Sequence, residues 1–257
     1  MNLGFYRKPV DLSAAGKHAP LLKNLPRDVG ALTRVVQGLL IHEHMAEAYG
    51  VKLSPERHAE AHVRPLEAML DRIVAADPQP LSVQRAPEGR YVCVCRSFTL
   101  LMVALLRHQG VPARARCGFG TYFEKGKGYD HWVAEYWREA EKRWVMVDAQ
   151  IDDRQRQMFG IAIDTLDVKR DQFLVAGDAW RHCRADNLDP KNFGILDMWG
   201  YWFIASNVIR DIAALNNREM LPWDVWGAMT QDDSQIDFAL FDRLAELTHE
   251  PDGHFDE

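Results

Sequence analysis

Apolar positions in the first third of the chain recur at the i, i+3, i+4 spacing of amphipathic helices. One stripe follows Asp28, a residue type suited to an N-cap, and predicts a helix over residues 28–49 that stops at a glycine. A Ser-Pro pair begins a second helix over 54–76, with a bend expected at Pro65. Residues 1–27 contain three prolines and read as irregular.

The pattern changes in the middle of the chain. A short β-like run at 91–94 is followed by apolar residues at helical spacing over 95–109. Alternation then predicts a strand at 113–117, and aromatic and β-branched residues predict two more at 131–137 and 144–148. The polar residues between the last two strands are typical of a hairpin loop.

Helical patterns return after the predicted hairpin, over 172–183, 196–215 and 235–247. The fold class is therefore α+β: a helix packed on a small antiparallel sheet, with further helices around it.

The chain of 257 residues is expected to form a single domain, residues 1–257, since no repeat or low-complexity tract divides it. Within it we distinguish a helical N-terminal extension (1–80), a core (81–155) and a helical C-terminal extension (156–257). All eight tryptophans lie in the second half: Trp132, Trp137, Trp144, Trp180, Trp199, Trp202, Trp223 and Trp226.

Composition narrows the function classes. The chain has 31 Lys+Arg and 37 Asp+Glu, a formal net charge of −6, which disfavours a broad nucleic-acid-binding face. No apolar run reaches the roughly 18–20 residues that a membrane span needs, and the start lacks the apolar segment of a signal peptide. We expect a cytoplasmic protein with neither nucleic acid nor membrane as partner; the sequence leaves the oligomeric state open.

The four cysteines favour neither disulfides nor a zinc site. Cys93 and Cys95 form one C-x-C pair, while Cys117 and Cys183 are far apart, so the second close pair of a zinc ribbon is missing. A cytosolic chain keeps its thiols reduced.

Cys95 is the candidate nucleophile because it lies where a loop turns into a helix. The unpaired N–H groups of a helix N-terminus stabilise a thiolate and can also stabilise an oxyanion. Cys93 is the rival thiol, but it lies on the β-like approach. His131 and Asp148, at the paired ends of the predicted hairpin, supply the base and the group that orients it.

The hairpin register tests this arrangement. If His131 lies opposite Asp148, the indices of facing residues sum to 279 and a four-residue loop, 138–141, remains. A slip by one residue would turn the two side chains to opposite faces of the sheet, and the proposed chemistry would fail.

Four stretches of this sequence resemble the transglutaminase-like superfamily. They are Val-Cys-Arg-Ser-Phe at 94–98, a segment ending in Gly-Val-Pro-Ala-Arg at 105–114, Asp-His-Trp-Val-Ala-Glu-Tyr-Trp at 130–137 and Trp-Val-Met-Val-Asp at 144–148. The resemblance covers about residues 81–150, and the flanks look like additions of a bacterial single-domain subfamily.

The resemblance implies a papain-like Cys-His-Asp triad of Cys95, His131 and Asp148 that works through an acyl-thioester. Members of the superfamily include peptide and amide hydrolases, transglutaminases, amide-forming enzymes and inactive scaffolds. We favour hydrolysis of a small-molecule amide or a peptide, with acyl transfer to an amine as the alternative and a non-catalytic binding module as the weaker one. No metal or organic cofactor is implied.

The predicted substrate-binding residues lie beside the triad or on an aromatic stripe of the C-terminal helix, although plain core packing is the simpler explanation of such a stripe. Arg114 and Arg116 share a strand face and are more consistent with ion pairs than with an anion site. The substrate-binding set is Arg96, Trp132, Gln150, Trp199, Trp202, Asn207 and Arg210.

Two histidine pairs invite a metal hypothesis. His58 and His62 are four apart, on one face of the predicted helix, but no third ligand is evident. His42 and His44 are two apart, which on a helix separates them by about 200°.

Overall fold

A six-stranded, mainly antiparallel sheet lies at the centre of the computed structural model, which describes residues 2–185 and 188–254. A long helix packs on one face of the sheet, and two C-terminal helices pack on the other face and carry the last helix of the chain. This is the predicted α+β class. No helix in the described ranges is long and apolar enough to cross a bilayer.

The elements run in chain order as follows. The α-helices are α1 (Val29–Leu39), α2 (Pro55–His58), α3 (Leu66–Ala76), α4 (Cys95–His108), α5 (Asp153–Phe159), α6 (Ala176–Ala185), α7 (Tyr201–Leu215) and α8 (Phe238–His249). The strands are β1 (Leu40–His42), β2 (Tyr91–Cys93), β3 (Ala113–Gly120), β4 (Gly128–Arg138), β5 (Arg143–Val147), β6 (Phe173–Val175), β7 (Phe193–Ile195) and β8 (Met198–Trp199).

The sheet is built around β3 and β4, which pair antiparallel along eight residues. Strand β6 adds to the outer side of β3. The free side of β4 takes β5 at its C-terminal end and, in parallel, β7 at its N-terminal end. β8 completes the order β6-β3-β4-β7-β8.

The first predicted helix is too long. Asp28 caps α1 as expected, its Oδ1 accepting the Ala31 N–H at 2.8 Å, but α1 ends at Leu39. The next three residues form β1, which pairs in parallel with β2 and places Ile41 opposite Val92. Strand pairing overrides helical spacing here because Ile41 is buried between β2 and the 3-10 helix that follows.

The second predicted helix is broken as well. α2 is a single turn, a 3-10 turn covers Ala59–His62, and α3 starts only after Pro65. Proline has no N–H to donate and restricts the residue before it, so the expected bend is a full break.

The C-terminal predictions hold in outline and miss short elements. Helices α6, α7 and α8 correspond to the three predicted ones, with starts shifted to Ala176, Tyr201 and Phe238. Strands β6, β7 and β8 were not expected, because two or three residues carry too little periodicity to be recognised. Helix α5, of seven residues, was not expected either, since two turns are shorter than the window in which helical periodicity is read.

The hairpin register differs from the predicted one by two residues. Ala134 faces Val147 and Trp137 faces Trp144, so the indices of facing residues sum to 281. Side chains alternate with period two, so this shift keeps His131 and Asp148 on one face of the sheet, as the chemistry requires.

An ion-pair network lies between the sheet and α7. Arg116 bonds Asp211 at 2.9 Å and Glu135 at 3.2 Å, and Arg114 bonds Glu135 at 2.6 Å. All four side chains are buried. The two strand arginines therefore form ion pairs, as their alternation suggested.

Candidate active site

Cys95 is the first residue of α4 and follows Val94, whose extended backbone delivers the chain into the helix. Burial raises the pKa of its thiol well above the usual range, and the negative charge of Asp130 raises it further. The backbone N–H groups of Arg96 and Trp132 act in the opposite direction. The expected helix-start effect is present, but burial outweighs it, so the resting group is a thiol.

His131 and Asp148 form a hydrogen-bonded pair, Nε2 to Oδ2, of 2.9 Å. His131 lies on β4, and Asp148 directly follows β5. Both are almost completely buried, at 2% and 0% exposure. Because Nε2 faces Asp148, Nδ1 is the ring nitrogen left to exchange a proton with a thiol.

Asp148 is held by two further donors. The Tyr122 hydroxyl donates to Oδ2 at 2.6 Å, and the Gln150 backbone N–H donates to Oδ1 at 3.0 Å. Burial alone would raise the pKa of Asp148, but the charge of His131 and these hydrogen bonds hold it below its usual range. The carboxylate is therefore ionised and fixed in place beside the imidazole.

Two cavities meet at Cys95. The histidine-side cavity, of about 630 Å³, contains His131. The tryptophan-side cavity, of about 200 Å³, contains Trp202 and Trp223. Six residues line both cavities: His42, His44, Cys95, Asp130, Ile195 and Leu196.

A larger cavity of about 870 Å³ lies elsewhere, lined by residues such as Arg170, Asp178 and His249. None of the predicted site residues is part of its lining. The two cavities at Cys95 are therefore the ones relevant to thiol chemistry.

Four of the predicted substrate-binding residues reach these cavities. Gln150 and Trp199 line the histidine-side cavity, and Trp202 and Arg210 line the tryptophan-side cavity. Their contact with a substrate stays a prediction.

The other three predicted substrate-binding residues are placed in the interior. Arg96 is fully buried and donates to the backbone oxygens of Glu219 and Arg64, because the side chain of a residue just inside a helix can turn away from the helix start. Trp132 alternates to the opposite face from His131 and packs in the core against α4. Asn207 lines neither cavity but connects two residues that do, Asp130 and Arg210.

Sequence reasoning gave no separate role to Tyr122 or Asp130. Tyr122 belongs to the connection between β3 and β4, where its bond to Asp148 depends on the fold rather than on spacing. Asp130 precedes His131, and this adjacency was an available signal. Phe123 packs edge-on against the His131 ring at a centroid distance of 5.2 Å.

The histidine pairs do not lie on the helices that the sequence predicted. His42 ends β1, and His44 lies in the 3-10 helix that follows. Their ring centroids are 5.5 Å apart, and both residues line both cavities. Burial, then the charges of His44 and His131, lowers the pKa of His42 to about 3, so it is neutral near pH 7.

His58 and His62 have separate partners, Glu43 for the first and the Trp223 ring for the second. Within 2–185 and 188–254, no three His, Cys, Asp or Glu side chains are grouped so as to hold a metal ion.

Comparison with known proteins agrees with the motif-based assignment. Residues 72–149 match the model of the transglutaminase-like superfamily, which confirms the resemblance for this segment. The matched segment contains Cys95, His131 and Asp148.

Among solved structures, the crystal structure of a putative cysteine protease from Cytophaga hutchinsonii matches with 16% identity and a TM-score of 0.40. That match covers 68% of this chain and 45% of the other, so this chain aligns with less than half of its length. No curated protein matches at a significant level.

Proposed function

We propose that this protein is a thiol-dependent amide or peptide hydrolase with Cys95 as nucleophile, His131 as general acid and base, and Asp148 as the residue that orients His131. The observation that carries the proposal is the buried 2.9 Å His131–Asp148 bond beside a cavity that Cys95 also lines. The match to the transglutaminase-like superfamily over 72–149 supports the same chemistry.

The first half of the reaction forms a thioester. Cys95 Sγ attacks the carbonyl carbon while the thiol proton passes to His131 Nδ1, and His131 then protonates the leaving nitrogen as the C–N bond breaks. The raised pKa of Cys95 means that the proton moves during attack, rather than resting on His131 beforehand. The Arg96 N–H, which already favours the Cys95 thiolate, would be the donor to the oxyanion.

The second half of the reaction hydrolyses the thioester and regenerates the free enzyme. His131 removes a proton from water, which attacks the thioester carbonyl, and the thiolate leaves and is reprotonated. One observation favours an amine in place of water: Cys95 and His131 are 6% and 2% exposed, and water exclusion protects a thioester from hydrolysis. Acyl transfer is therefore the second candidate.

Reaction with p-nitrophenyl acetate tests the proposal. We expect a nitrophenolate burst and an acetyl adduct that peptide mass spectrometry locates on Cys95. The Cys95→Ala variant should lose both, and Cys93→Ala, the matched control, should keep them. An acetyl group on Cys93, or a burst that persists in Cys95→Ala, would contradict the assignment.

The same assay separates the two candidate reactions. Added n-butylamine should leave acetate as the main product of a hydrolase and should yield N-butylacetamide with an acyltransferase.

A further inference from the structure

Asp130 carries a buried carboxylate that lines the same cavities as the proposed reacting thiol, Cys95. It is 7% exposed and lines both cavities that meet at Cys95. Its Oδ1 accepts a hydrogen bond from Asn207 Nδ2 at 2.8 Å. Its Oδ2 makes no hydrogen bond with a described residue, yet this atom is not fully buried. We therefore take this oxygen to face the cavity.

No described cation pairs directly with this carboxylate. Arg210 donates from Nη1 to Asn207 Oδ1 at 2.9 Å, so the Asn207 amide stands between the guanidinium and Asp130. Lys127, in the histidine-side cavity, is paired with Glu124 at 3.3 Å. Buried carboxylates normally have a cation or several donors, and Oδ2 has neither.

The walls around Asp130 suit a cation as well. The tryptophan-side cavity includes the rings of Trp202 and Trp223. The rings of Phe203 and Trp199 also line the cavities but already lie near Arg210 and Lys127, with the cation 6.0 and 5.5 Å from the ring centroid. Aromatic faces attract cations, and a second carboxylate, Glu43, lines the tryptophan-side cavity.

We propose that Asp130 is a binding subsite for a protonated amine of the substrate, placed where the two cavities meet beside Cys95. The inference rests on the proposed function only in taking Cys95 as the reacting group. An ammonium at Oδ2 would supply the missing partner of the carboxylate. It would also cancel a negative charge that disfavours the Cys95 thiolate, so that a cationic substrate would promote its own attack.

Thiol-reactive probes of different charge test this subsite without a known substrate. The aminoethyl (cationic), hydroxyethyl (neutral) and sulfonatoethyl (anionic) methanethiosulfonates all react alike. The Cys95 thiolate attacks the sulfenyl sulfur, a mixed disulfide forms, and methanesulfinate leaves. Each rate is divided by the rate with free 2-mercaptoethanol, and Cys95→Ala identifies the labelled residue.

In the wild type we expect the normalised rate to be about 10-fold higher for the cationic than for the neutral probe, and lowest for the anionic probe. Asp130→Asn should remove most of this preference. Glu124→Gln, which neutralises an exposed carboxylate of the histidine-side cavity, should retain it. Equal normalised rates for the cationic and neutral probes, or a preference that survives in Asp130→Asn, would overturn the proposal.

A wild-type measurement covers the case in which Asp130→Asn does not fold. Propylammonium, which would both occupy the subsite and cancel the charge of Asp130, should change the rate of labelling by the neutral probe more than the same concentration of 1-propanol does; equal rates with the two additives would overturn the proposal. These readouts follow labelling and not turnover. A preference for the cationic probe without formation of an acetyl-thioester would refute the proposed function and leave the subsite standing. Formation of the thioester without a charge preference would refute the subsite and leave the proposed function standing.

Discussion

Strands β3 and β4 carry two buried polar clusters with opposite properties. At one end, Glu135 of β4 lies opposite Arg114 of β3 within the ion-pair network. At the other end, His131 lies opposite Gly118 and turns to Asp148 and the histidine-side cavity. Only three residues of one strand therefore separate a closed network from a site that faces a cavity.

The ionisation of the two clusters shows the difference. Burial alone would raise the pKa of Glu135, but Arg114 and Arg116 bring it down to about 2. Burial also raises the pKa of Asp130, and there the distant charge of Arg210 and the Asn207 bond do not compensate. A buried charge with matched partners supports the fold, whereas one with an unused acceptor beside a cavity is placed for a ligand.

The sharpest test of this comparison is removal of the proposed nucleophile, Cys95. Cys95→Ala should reduce p-nitrophenyl acetate turnover by at least ~10³-fold because no thioester can form. Its urea unfolding free energy should stay within about 1 kcal/mol of the wild type. A large loss of stability with retained turnover would show that Cys95 supports the fold and is not the nucleophile.

Asp148→Asn should cause the next largest loss of turnover, about 10³-fold. The amide cannot hold His131 in the same tautomer or stabilise the imidazolium. The fall should appear in kcat, measured across pH 6–9. A change confined to KM would show that Asp148 does not act through His131.

Removing a cation from the ion-pair network should lower the free energy of unfolding. Arg116→Met leaves Glu135 and Asp211 without their shared cation, and we expect about 3–5 kcal/mol less unfolding free energy in urea. Arg143→Met, at a surface ion pair, is the control and should cost less than about 1 kcal/mol. Turnover per folded molecule should not change in either variant.

Acid should weaken the same network over a defined range. The folded pKa of Glu135, about 2, is below its usual value of 4.5, so its contribution is complete above pH 4.5 and is lost as the pH falls towards 2. The stability difference between wild type and Glu135→Gln, from urea titrations at several pH values, should shrink over this range. A constant difference would argue against ionic pairing.

Tyr122→Phe should have the smallest effect. It removes one of three donors to Asp148 and leaves the bonds from His131 and Gln150. We expect turnover to fall about 10–100-fold, in line with the roughly 1.5–3 kcal/mol of one hydrogen bond to a charged group. Wild-type turnover would show that the hydroxyl does not contribute to holding Asp148.

The sequence was most informative where a residue type, a spacing and a local element coincide. The shared face of His131 and Asp148 was predicted even though the register was off by two residues. Side chains of a strand alternate between the two faces of the sheet, so a shift by an even number of residues leaves each side chain on the same face. It was least informative for residues whose partners are distant. Asn207, 77 positions from Asp130, has no sequence signal that separates it from other polar residues of a helix.

Strand pairing, proline and burial explain the remaining differences. The end of α1 was set by β1 pairing, which local periodicity does not reveal, and Pro65 breaks the second helix where the sequence predicted only a bend. The helix-start argument for Cys95 identified an effect of the correct sign, but the degree of burial that outweighs it is a property of the whole fold.

The short parallel pairing of β1 with β2 makes Cys95, the proposed nucleophile, dependent on a distant part of the polypeptide. Strand β2 leads directly into Cys95, and its Val92 N–H is also bonded by Glu60 Oε2 at 2.8 Å. A chain shortened to begin at residue 81 would keep Cys95, His131 and Asp148 and lose both of these supports of the segment that leads into the thiol. Transplanting the candidate active site into another scaffold therefore requires residues 40–42 and 60 along with the segment that contains the proposed triad.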